Sequence, residues 1–290
     1  MKKIVIFGVG LIGGSVALAL KKAGSTAQIV GVGRSSQSLQ TALDLGVIDT
    51  ASSDIAAAVK DADILLIAAP VAQTTTILSA IKPHLTASTV ITDAGSTKGD
   101  VLQCAQEILG AQFNQFVGGH PIAGAEKSGV TAAMADLYTN KNVVLTPAAA
   151  TNPQAIQRVK TLWLTCGANV SEMSAATHDG IFAAVSHLPH LLAFALVDDI
   201  AARPNAEQLF GFAASGFRDF TRIAGSHPEM WRDISLANRT ALLNELHAYQ
   251  AELARLHELL EREDGNGLQA LFERASIARN NWGEAKKQQQ

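Results

Sequence analysis

The sequence has little of what several classes of protein require. Its two cysteines, Cys104 and Cys166, form no CxxC pattern, so they indicate neither a disulfide framework nor a zinc site. The net charge of -3 shows no basic excess, so no nucleic-acid partner is expected. No stretch approaches the roughly 20 uninterrupted apolar residues of a membrane span. These absences predict a protein of the reducing cytoplasm without a metal site and without nucleic-acid or membrane partners.

A glycine-rich turn follows the first predicted strand. The apolar run 4–7 is typical of a buried strand, and it leads into Gly8-Val9-Gly10-Leu11-Ile12-Gly13, which has the G-x-G-x-x-G spacing. A helical pattern up to Gly24 and a second strand at 29–32 complete a dinucleotide-binding unit, in which the pyrophosphate lies at a helix N-terminus. A turn without a ligand is the alternative. The predicted cofactor contacts in this turn are Gly8, Gly10, Leu11, Ile12 and Gly13.

The end of the second strand indicates which nicotinamide cofactor binds. A site for NAD usually places an acid about 20 residues after the glycine motif, where it binds the ribose 2′-hydroxyl. Here that position holds Gly33, followed by Arg34 and Ser35. An acid would repel a 2′-phosphate, whereas an arginine binds one, so the sequence favours NADP over NAD. The alternative is that Arg34 only faces solvent.

Strands and helices alternate as far as residue 173, which predicts a parallel sheet. Further strands are predicted at 64–68, 89–92, 116–118, 143–146 and 169–173, and helices near 38–45, 73–81 and 153–165. Strand ends carry the ligand in such sheets, so Ala69, Pro70 and Val71 should line the crevice, together with 93–98. The alternative for the second segment is helix capping by Ser96 or Thr97.

The stretch 117–126 presents a histidine among small residues. His120 lies between Gly119 and Pro121, where the backbone can approach a bound molecule closely while one titratable ring is exposed to it. This arrangement suits a catalytic base. The alternative is a glycine-rich turn whose histidine only bonds a carbonyl.

From Ser174 onward the pattern is helical, which predicts two domains, 1–173 and 174–290. The fold class is therefore α/β: a Rossmann-type dinucleotide-binding domain followed by an all-α domain. One helix should carry His178 on an apolar stripe and should be kinked at Pro189. His187 and His190 flank this kink. Taken alone, each of the three histidines is more typical of the core than of a functional site. The stripe comprises Ile181, Val185, Leu188, Leu192 and Leu196.

A later apolar seam has coiled-coil spacing and favours a homodimer interface over an ordinary core helix. Its residues are Leu242, Leu246, Tyr249, Leu253, Leu256 and Leu260.

Five motifs are spread over both halves of the chain. They are Gly8-x-Gly10-x-x-Gly13-Gly14-Ser15, Asp93-x-Gly95-Ser96-x-Lys98, Gly119-His120-Pro121-Ile122-Ala123-Gly124, Ser186-His187-Leu188-Pro189-His190, and Phe217-Arg218-Asp219-x-Thr221-Arg222 through Met230-Trp231. In order and spacing they resemble the prephenate and arogenate dehydrogenases of tyrosine biosynthesis. The resemblance implies NAD(P)-dependent oxidative decarboxylation of prephenate, arogenate or both, by a dinucleotide-binding domain followed by a helical dimerisation domain.

The resemblance also implies roles for individual residues. His120 would be the catalytic group that accepts a hydrogen bond from the ring hydroxyl of the substrate. Ser96 would form hydrogen bonds with that hydroxyl and with His120. Arg222 would engage a substrate carboxylate, for which a planar guanidinium is well suited. In the alternative, Arg222 pairs with Asp219 on a helix surface. Further substrate-site positions are Glu126, His178, His190 and Trp231.

Two other functions are compatible with parts of this pattern. Another two-domain NADP-dependent hydroxyacid dehydrogenase would need a lysine base on a helix of the second domain, but 174–200 contains no lysine. A non-catalytic NADPH-sensing protein would keep the glycine loop but would not need His120, Ser96 and Arg222 together.

Overall fold

The computed structural model describes residues 1–125 and 127–287, and within them eight strands form one sheet. The strands are Lys3–Phe7 (β1), Gln28–Val32 (β2), Thr50–Ser52 (β3), Ile64–Ile67 (β4), Val90–Asp93 (β5), Phe116–Pro121 (β6), Asn142–Thr146 (β7) and Asn169–Glu172 (β8). Their order in the sheet is β3-β2-β1-β4-β5-β6-β7-β8. All neighbouring pairs are parallel except β6 and β7, which pair antiparallel. The predicted parallel sheet is thus confirmed for β1 to β6 and wrong at the β6–β7 pair, so that β7 and β8 are parallel to each other but run opposite to the other strands.

The reversal at β7 has a local cause. A parallel connection needs a long crossover, usually through a helix. In the described residues between β6 and β7, the regular structure is a single 3-10 turn, Val130–Ala132, so the chain returns antiparallel instead. Sequence periodicity predicts neither β3 nor the helix Ile55–Val59, because they have three and five residues and are too short to show a period.

In the part of the chain that the structure describes, six helices connect the strands: Leu11–Lys22 (α1), Ser36–Asp44 (α2), Ile55–Val59 (α3), Thr74–Ile81 (α4), Gly99–Leu109 (α5) and Pro153–Thr165 (α6). Alternate residues of β1 enter two different apolar cores, because successive side chains of a strand point to opposite faces. Ile4 and Ile6 belong to one core, and Val5 and Phe7 belong to the other. The sheet is therefore covered on both faces, which leaves the carboxyl ends of its strands as the edge available to a ligand.

The chain is helical after β8, as predicted. The helices are Ala175–Phe182 (α7), Leu188–Ala201 (α8), Ala206–Gly211 (α9), Ser215–Thr221 (α10), Pro228–Ala237 (α11), Arg239–Glu261 (α12) and Gly265–Lys287 (α13). A π-helical turn, Ala183–His187, joins α7 to α8 where the sequence predicts a kink. Pro189 has no N–H to continue the regular bonding pattern, and the wider turn before it accommodates this gap.

The chain divides into two compact units, one formed by Met1–Arg239 and the other beginning at Thr240. The second unit consists of α12 and α13, joined at 262–264. Its seam has one buried member, Leu242, whereas Leu253 and Leu260 are exposed in the single chain. The domain boundary near residue 173 stays a prediction based on the change from alternating to helical structure.

Among the described residues, Ala175–Ala201 is the helical run that is long and apolar enough to cross a membrane by length and composition. This run carries His178, Asp179 and His187 in hydrogen bonds with residues of other elements. Such a polar network is typical of a helix in the core of a folded domain, where polar groups find partners, and one apolar helix is weak evidence for a span.

Candidate active site

The glycine loop, Gly8–Gly13, comprises the turn after β1 and the first residues of α1, and it is shaped by close packing. Gly8 has a φ of +94°, and a Cβ there would lie 2.6 Å from the carbonyl oxygen of Ala68. A Cβ on Gly13 would overlap the carbonyl oxygen of Gly8. Gly10, in contrast, faces open space, and α1 begins after it without a side-chain cap. The first N–H groups of α1 therefore remain available to an anion, so the loop fits the pyrophosphate of a dinucleotide.

A cleft of about 570 Å³ opens beside this loop. Six predicted cofactor contacts line it: Gly8, Gly10, Gly33, Arg34, Ala69 and Pro70. The other five predicted contacts are not among its lining residues: Leu11, Ile12, Gly13, Ser35 and Val71. Sequence reasoning missed the rest of the lining: Phe7, Val32, Ser53, Ile55, Ala68, Gln73, Thr76, Ile77 and Ala80. Several of these follow strand ends, which is the signal that could have identified them.

Arg34 is exposed at the cleft, directly after Gly33. Ser35 has a structural task, because its hydroxyl accepts a hydrogen bond of 3.1 Å from the Ser38 N–H and caps α2. The end of β2 thus presents a cation and no acid to the cleft.

A fully buried ion pair lies where β5 ends. The Lys98 ammonium contacts the Asp93 carboxylate, and the two side chains are 0% and 2% exposed. Lys98 also donates to the Gly119 carbonyl at 2.9 Å, and Asp93 accepts from the Gly119 N–H at 3.0 Å. The pair therefore fixes the backbone of β6 immediately before His120.

The alternative for the segment 93–98, in which Ser96 or Thr97 caps α5, is wrong in its residues. Neither Ser96 nor Thr97 caps this helix. Instead, the Asp179 carboxylate of α7 accepts from the Lys98 N–H at 2.9 Å and from the Gly99 N–H at 2.7 Å. A distant acid thus caps α5, and it also interacts favourably with the positive end of the helix dipole.

His120 contacts a side chain of the helical half of the chain. Its Nδ1 lies 2.8 Å from His178 Nε2, and His178 Nδ1 lies 2.8 Å from the Asp179 carboxylate. Phe182 packs against both rings, with centroid distances of 4.7 Å to His120 and 4.5 Å to His178. His178 is fully buried and His120 is partly buried. The three polar residues form one continuous hydrogen-bonded row.

The surroundings keep His120 neutral. Burial lowers its pKa well below the ordinary value, and the Lys98 charge together with the rings of His178 and His187 lowers it further. For Asp179, burial alone would raise the pKa. The hydrogen bonds from His178 and from the Gly99 and Lys98 N–H groups outweigh it, so the net shift is downward and the carboxylate stays ionised.

Two further histidines lie on the π turn and α8. His187 is buried, and its Nδ1 accepts a hydrogen bond of 3.0 Å from the Asn238 amide. Burial lowers the pKa of His187 to about 4. His190 donates from Nδ1 to the Ser186 carbonyl at 2.9 Å and stacks on Trp231, with ring centroids 3.5 Å apart. Burial lowers the pKa of His190, and the positive charge of Arg222 lowers it further.

Comparison with known proteins identifies the family. Residues 16–172 match a family model described as the nucleotide-binding domain of prephenate dehydrogenase, and residues 174–274 match its dimerization domain. The chain belongs to the prephenate dehydrogenase family. Prephenate dehydrogenase of Bacillus subtilis is 41% identical, over 96% of this chain and 75% of the relative.

Two solved structures resemble the chain over nearly its whole length. The crystal structure of Aquifex aeolicus prephenate dehydrogenase with hydroxyphenyl propionate and NAD+ has a TM-score of 0.91 and 39% identity. The match covers 96% of this chain and 97% of that one. The Synechocystis arogenate dehydrogenase structure has a TM-score of 0.82 and 29% identity, covering 97% of this chain and 99% of that one.

The structure brings together some of the residues whose roles the family resemblance implies. His120 contacts His178, Trp231 contacts His190, and the charge of Arg222 acts on His190. Ser96 lies in the loop after β5, but among the described residues no hydrogen bond joins it to His120. Glu126 lies outside the described residues.

Two of the small residues around His120 have a packing role that the sequence does not indicate, while the approach of a ligand to this backbone stays a prediction. A Cβ on Gly118 would overlap the Thr146 hydroxyl, and one on Gly119 would lie 2.8 Å from the Asp93 carbonyl oxygen. These two glycines are therefore required by packing within the sheet, whereas Gly124 faces open space.

Sequence reasoning assigned no role to Asp179, Lys98 or Asn238. Asp179 directly follows a histidine, and Lys98 belongs to a recognised motif, so both carried a weak signal. Asn238 carried none, because its partners lie far away in the sequence.

Proposed function

We propose that the protein catalyses the NADP-dependent oxidative decarboxylation of prephenate, arogenate or both. The observation that carries this proposal is the placement of His120, which is fixed by buried partners at the strand edge that also carries the dinucleotide cleft, and whose pKa is lowered by burial. Membership of the prephenate dehydrogenase family supports the same reaction.

The substrate has a ring carbon that carries a carboxylate and, opposite it, a carbon that carries a hydroxyl and the departing hydride. The nicotinamide cofactor supplies the hydride acceptor. A neutral imidazole accepts the hydroxyl proton as the hydride leaves, and the carbonyl formed there allows the carboxylate to depart as carbon dioxide. Aromatisation of the ring makes the reaction irreversible. His120 is the proposed base, and Ser96 is proposed to bond the same hydroxyl.

A substrate with two carboxylates needs fixed donors. Arg222 is the proposed carboxylate partner, since its charge lies near enough to His190 to lower the pKa of that ring. Trp231 stacks on His190, and its buried Nε1 has no partner among the described residues. We assign Arg222, His190, Trp231 and Glu126 to the substrate site. His178, predicted as a further substrate-site position, is fully buried against His120 and Asp179, so we assign it a supporting role behind His120.

The cofactor preference rests on Arg34 and Gly33. A cation at the cleft and no acid at the end of β2 favour a ribose 2′-phosphate, so NADP is the proposed cofactor. The Aquifex aeolicus relative was crystallised with NAD+. The test compares the specificity constants, kcat/KM, for NADP and NAD in wild type and in Arg34→Ala. The substitution should lower the constant for NADP about 10-fold to 150-fold, which corresponds to the loss of one charge-assisted hydrogen bond of about 1.5–3 kcal/mol, and leave that for NAD unchanged. A clear NAD preference in wild type would refute the assignment.

A homodimer in the cytoplasm is the proposed assembly. Large apolar side chains of the second unit are exposed in the single chain, and the family model for 174–274 is described as a dimerization domain. They include Leu253, Leu260, Phe272, Ile277 and Trp282. The molar mass in solution tests the dimer, and a monomer at micromolar concentration would contradict it.

The experiment that tests the reaction follows cofactor reduction by absorbance. The purified protein is given NADP with prephenate, with arogenate or with neither substrate, and then the same series with NAD. Reduction that depends on at least one of the two substrates is expected. If neither substrate supports reduction with either cofactor, the proposed reaction is wrong.

A further inference from the structure

The two hydrogen bonds that join His120, His178 and Asp179 point in the same direction, from His120 towards Asp179. The ionised Asp179 carboxylate can only accept, so His178 donates to it from Nδ1. The Nε2 atom of a neutral His178 is then an acceptor, and its partner is His120 Nδ1 at 2.8 Å. His120 must therefore donate from Nδ1, which leaves its Nε2 unprotonated. That nitrogen is the one available to take a proton.

The charges around the row make His120 an unfavourable place for a proton to remain. Burial and the buried Lys98 ammonium act against a cationic His120 ring, and no acid contacts that ring among the described residues. The carboxylate that contacts the row is that of Asp179, which touches His178. An imidazolium at His178 would be paired with this carboxylate, whereas one at His120 would not.

From this arrangement we infer that His178 and Asp179 form a proton relay behind His120. His178 receives a proton from His120 during the reaction, and Asp179 orients His178 and stabilises its cationic form. The inference rests on the proposed function for the identity of the proton donor, which is the substrate hydroxyl.

The transfers balance as follows. The O–H bond of the substrate breaks, its proton bonds to His120 Nε2, and the oxygen electron pair forms the carbonyl as the hydride leaves for the nicotinamide cofactor. The Nδ1–H bond of His120 breaks at the same time, and that proton bonds to His178 Nε2. His120 ends neutral with its proton on Nε2, and His178 ends as an imidazolium beside Asp179.

Asp179 is well placed for this task because four groups hold it. Its carboxylate accepts from the N–H groups of Lys98 and Gly99 and from His178, and its own carbonyl accepts from Asn238 at 2.8 Å. The acid therefore couples the start of α5, next to the buried ion pair, to the ring that contacts the base.

The decisive variant is His178→Gln, because a glutamine carbonyl can accept from His120 Nδ1 but cannot take up a proton. Turnover should fall at least tenfold, while the KM for the substrate and the affinity for NADPH change less than about threefold. Asp179→Asn should also lower kcat, because the loss of an orienting carboxylate behind a catalytic histidine costs up to about 10⁴-fold in a serine protease. Asn152→Ala removes the cap of α6 and serves as the control for cap loss, with kcat unchanged.

The position of the His120 proton is measured directly by ¹⁵N NMR of the imidazole nitrogens, and the His120→Asn spectrum assigns the signals among the eight histidines. Wild type and His178→Gln should both show a protonated Nδ1 and an unprotonated Nε2 on His120. Because this readout needs no substrate, failure of the relay can be distinguished from failure of the proposed function.

Three results would overturn the relay. One is turnover of His178→Gln within twofold of wild type. Another is a wild-type His120 that carries its resting proton on Nε2. The third is a loss of turnover in His178→Gln together with a shift of the proton to Nε2, which would give His178 an orienting role only.

Discussion

The glycine loop and the histidine cluster, which comprises His120, His178, His187 and His190, are held in place by different interactions. The loop is positioned by backbone contacts between neighbouring elements, such as Gly8 against Ala68. The cluster is positioned by side chains that are distant in sequence. Asp179 of α7 caps α5, and Asn238 donates a hydrogen bond to His187. Substitution of an exposed cleft residue such as Arg34 should therefore alter cofactor binding alone, whereas substitutions around the cluster should alter turnover and stability.

The largest expected effect separates the two regions by function. His120→Asn should lower kcat by about 10²-fold to 10⁴-fold, because a general base is lost. The affinity for NADPH, measured by fluorescence titration, should not change, because the cleft is lined by other residues. His84→Asn, on an exposed turn, is the control and should match wild type in both measurements. Near-normal turnover of His120→Asn would remove the base assignment.

The next largest effect is the loss of folding stability when the buried ion pair of Lys98 and Asp93 is broken. Lys98→Met strands the Asp93 carboxylate, so the free energy of unfolding should fall by about 3–5 kcal/mol. Lys21→Met breaks an exposed pair with Asp49 and should cost less than about 1 kcal/mol. Urea denaturation of the two variants measures the difference. Equal losses would show that the Lys98 pair does not hold β6 as described.

Arg222 tests whether the helical half supplies the substrate site. Arg222→Gln should raise the KM for prephenate about 10-fold to 150-fold, which corresponds to a charge-assisted hydrogen bond of about 1.5–3 kcal/mol. NADPH affinity should be unaffected. Arg203→Gln removes an exposed arginine at the end of α8 and is the matched control. An unchanged KM in Arg222→Gln would exclude it as the carboxylate partner.

The smallest effect concerns stability against pH. The pKa of His187 is about 6.5 in the unfolded chain and is lowered to about 4 in the folded chain. Between pH 4 and pH 6.5 the unfolded chain therefore binds more protons at this residue than the folded chain does. Stability should be complete above pH 6.5 and fall on acidification, by at most about 1.4 kcal/mol per pH unit for this ring. The free energy of unfolding at pH 7 and pH 5 measures this slope. His187→Asn should reduce the slope. The control His257→Gln, at an exposed position, should leave the slope unchanged. Equal slopes in wild type and both variants would show that His187 does not cause the loss of stability on acidification.

The two regions also differ in how far the sequence predicts them. The glycine loop is encoded by neighbouring residues, so its motif and the order of strand, turn, helix and strand could be predicted from local patterns. Six of the eleven predicted contacts line the cleft, and their contact with a cofactor stays a prediction. The others, such as Gly13 and Ser35, carry out packing and capping, which a motif does not distinguish from ligand contact.

The histidine cluster could be predicted only in part. Motif similarity pointed to His120 and His178 separately, but not to the row that they form with Asp179. The cap of α5 illustrates the reason: local rules favour Ser96 or Thr97, and a carboxylate from α7 takes the position instead. A contact between residues so far apart in sequence depends on how the helices pack, and no periodicity or spacing encodes it.

The central claim, that His120 drives an oxidation coupled to decarboxylation, is tested most directly by measuring reduced cofactor and released carbon dioxide in the same reaction. With prephenate and NADP, wild type should form the two in equal amounts, and His120→Asn should form neither at a comparable rate. Reduced cofactor without carbon dioxide would contradict the claim, and so would unchanged formation of both by His120→Asn.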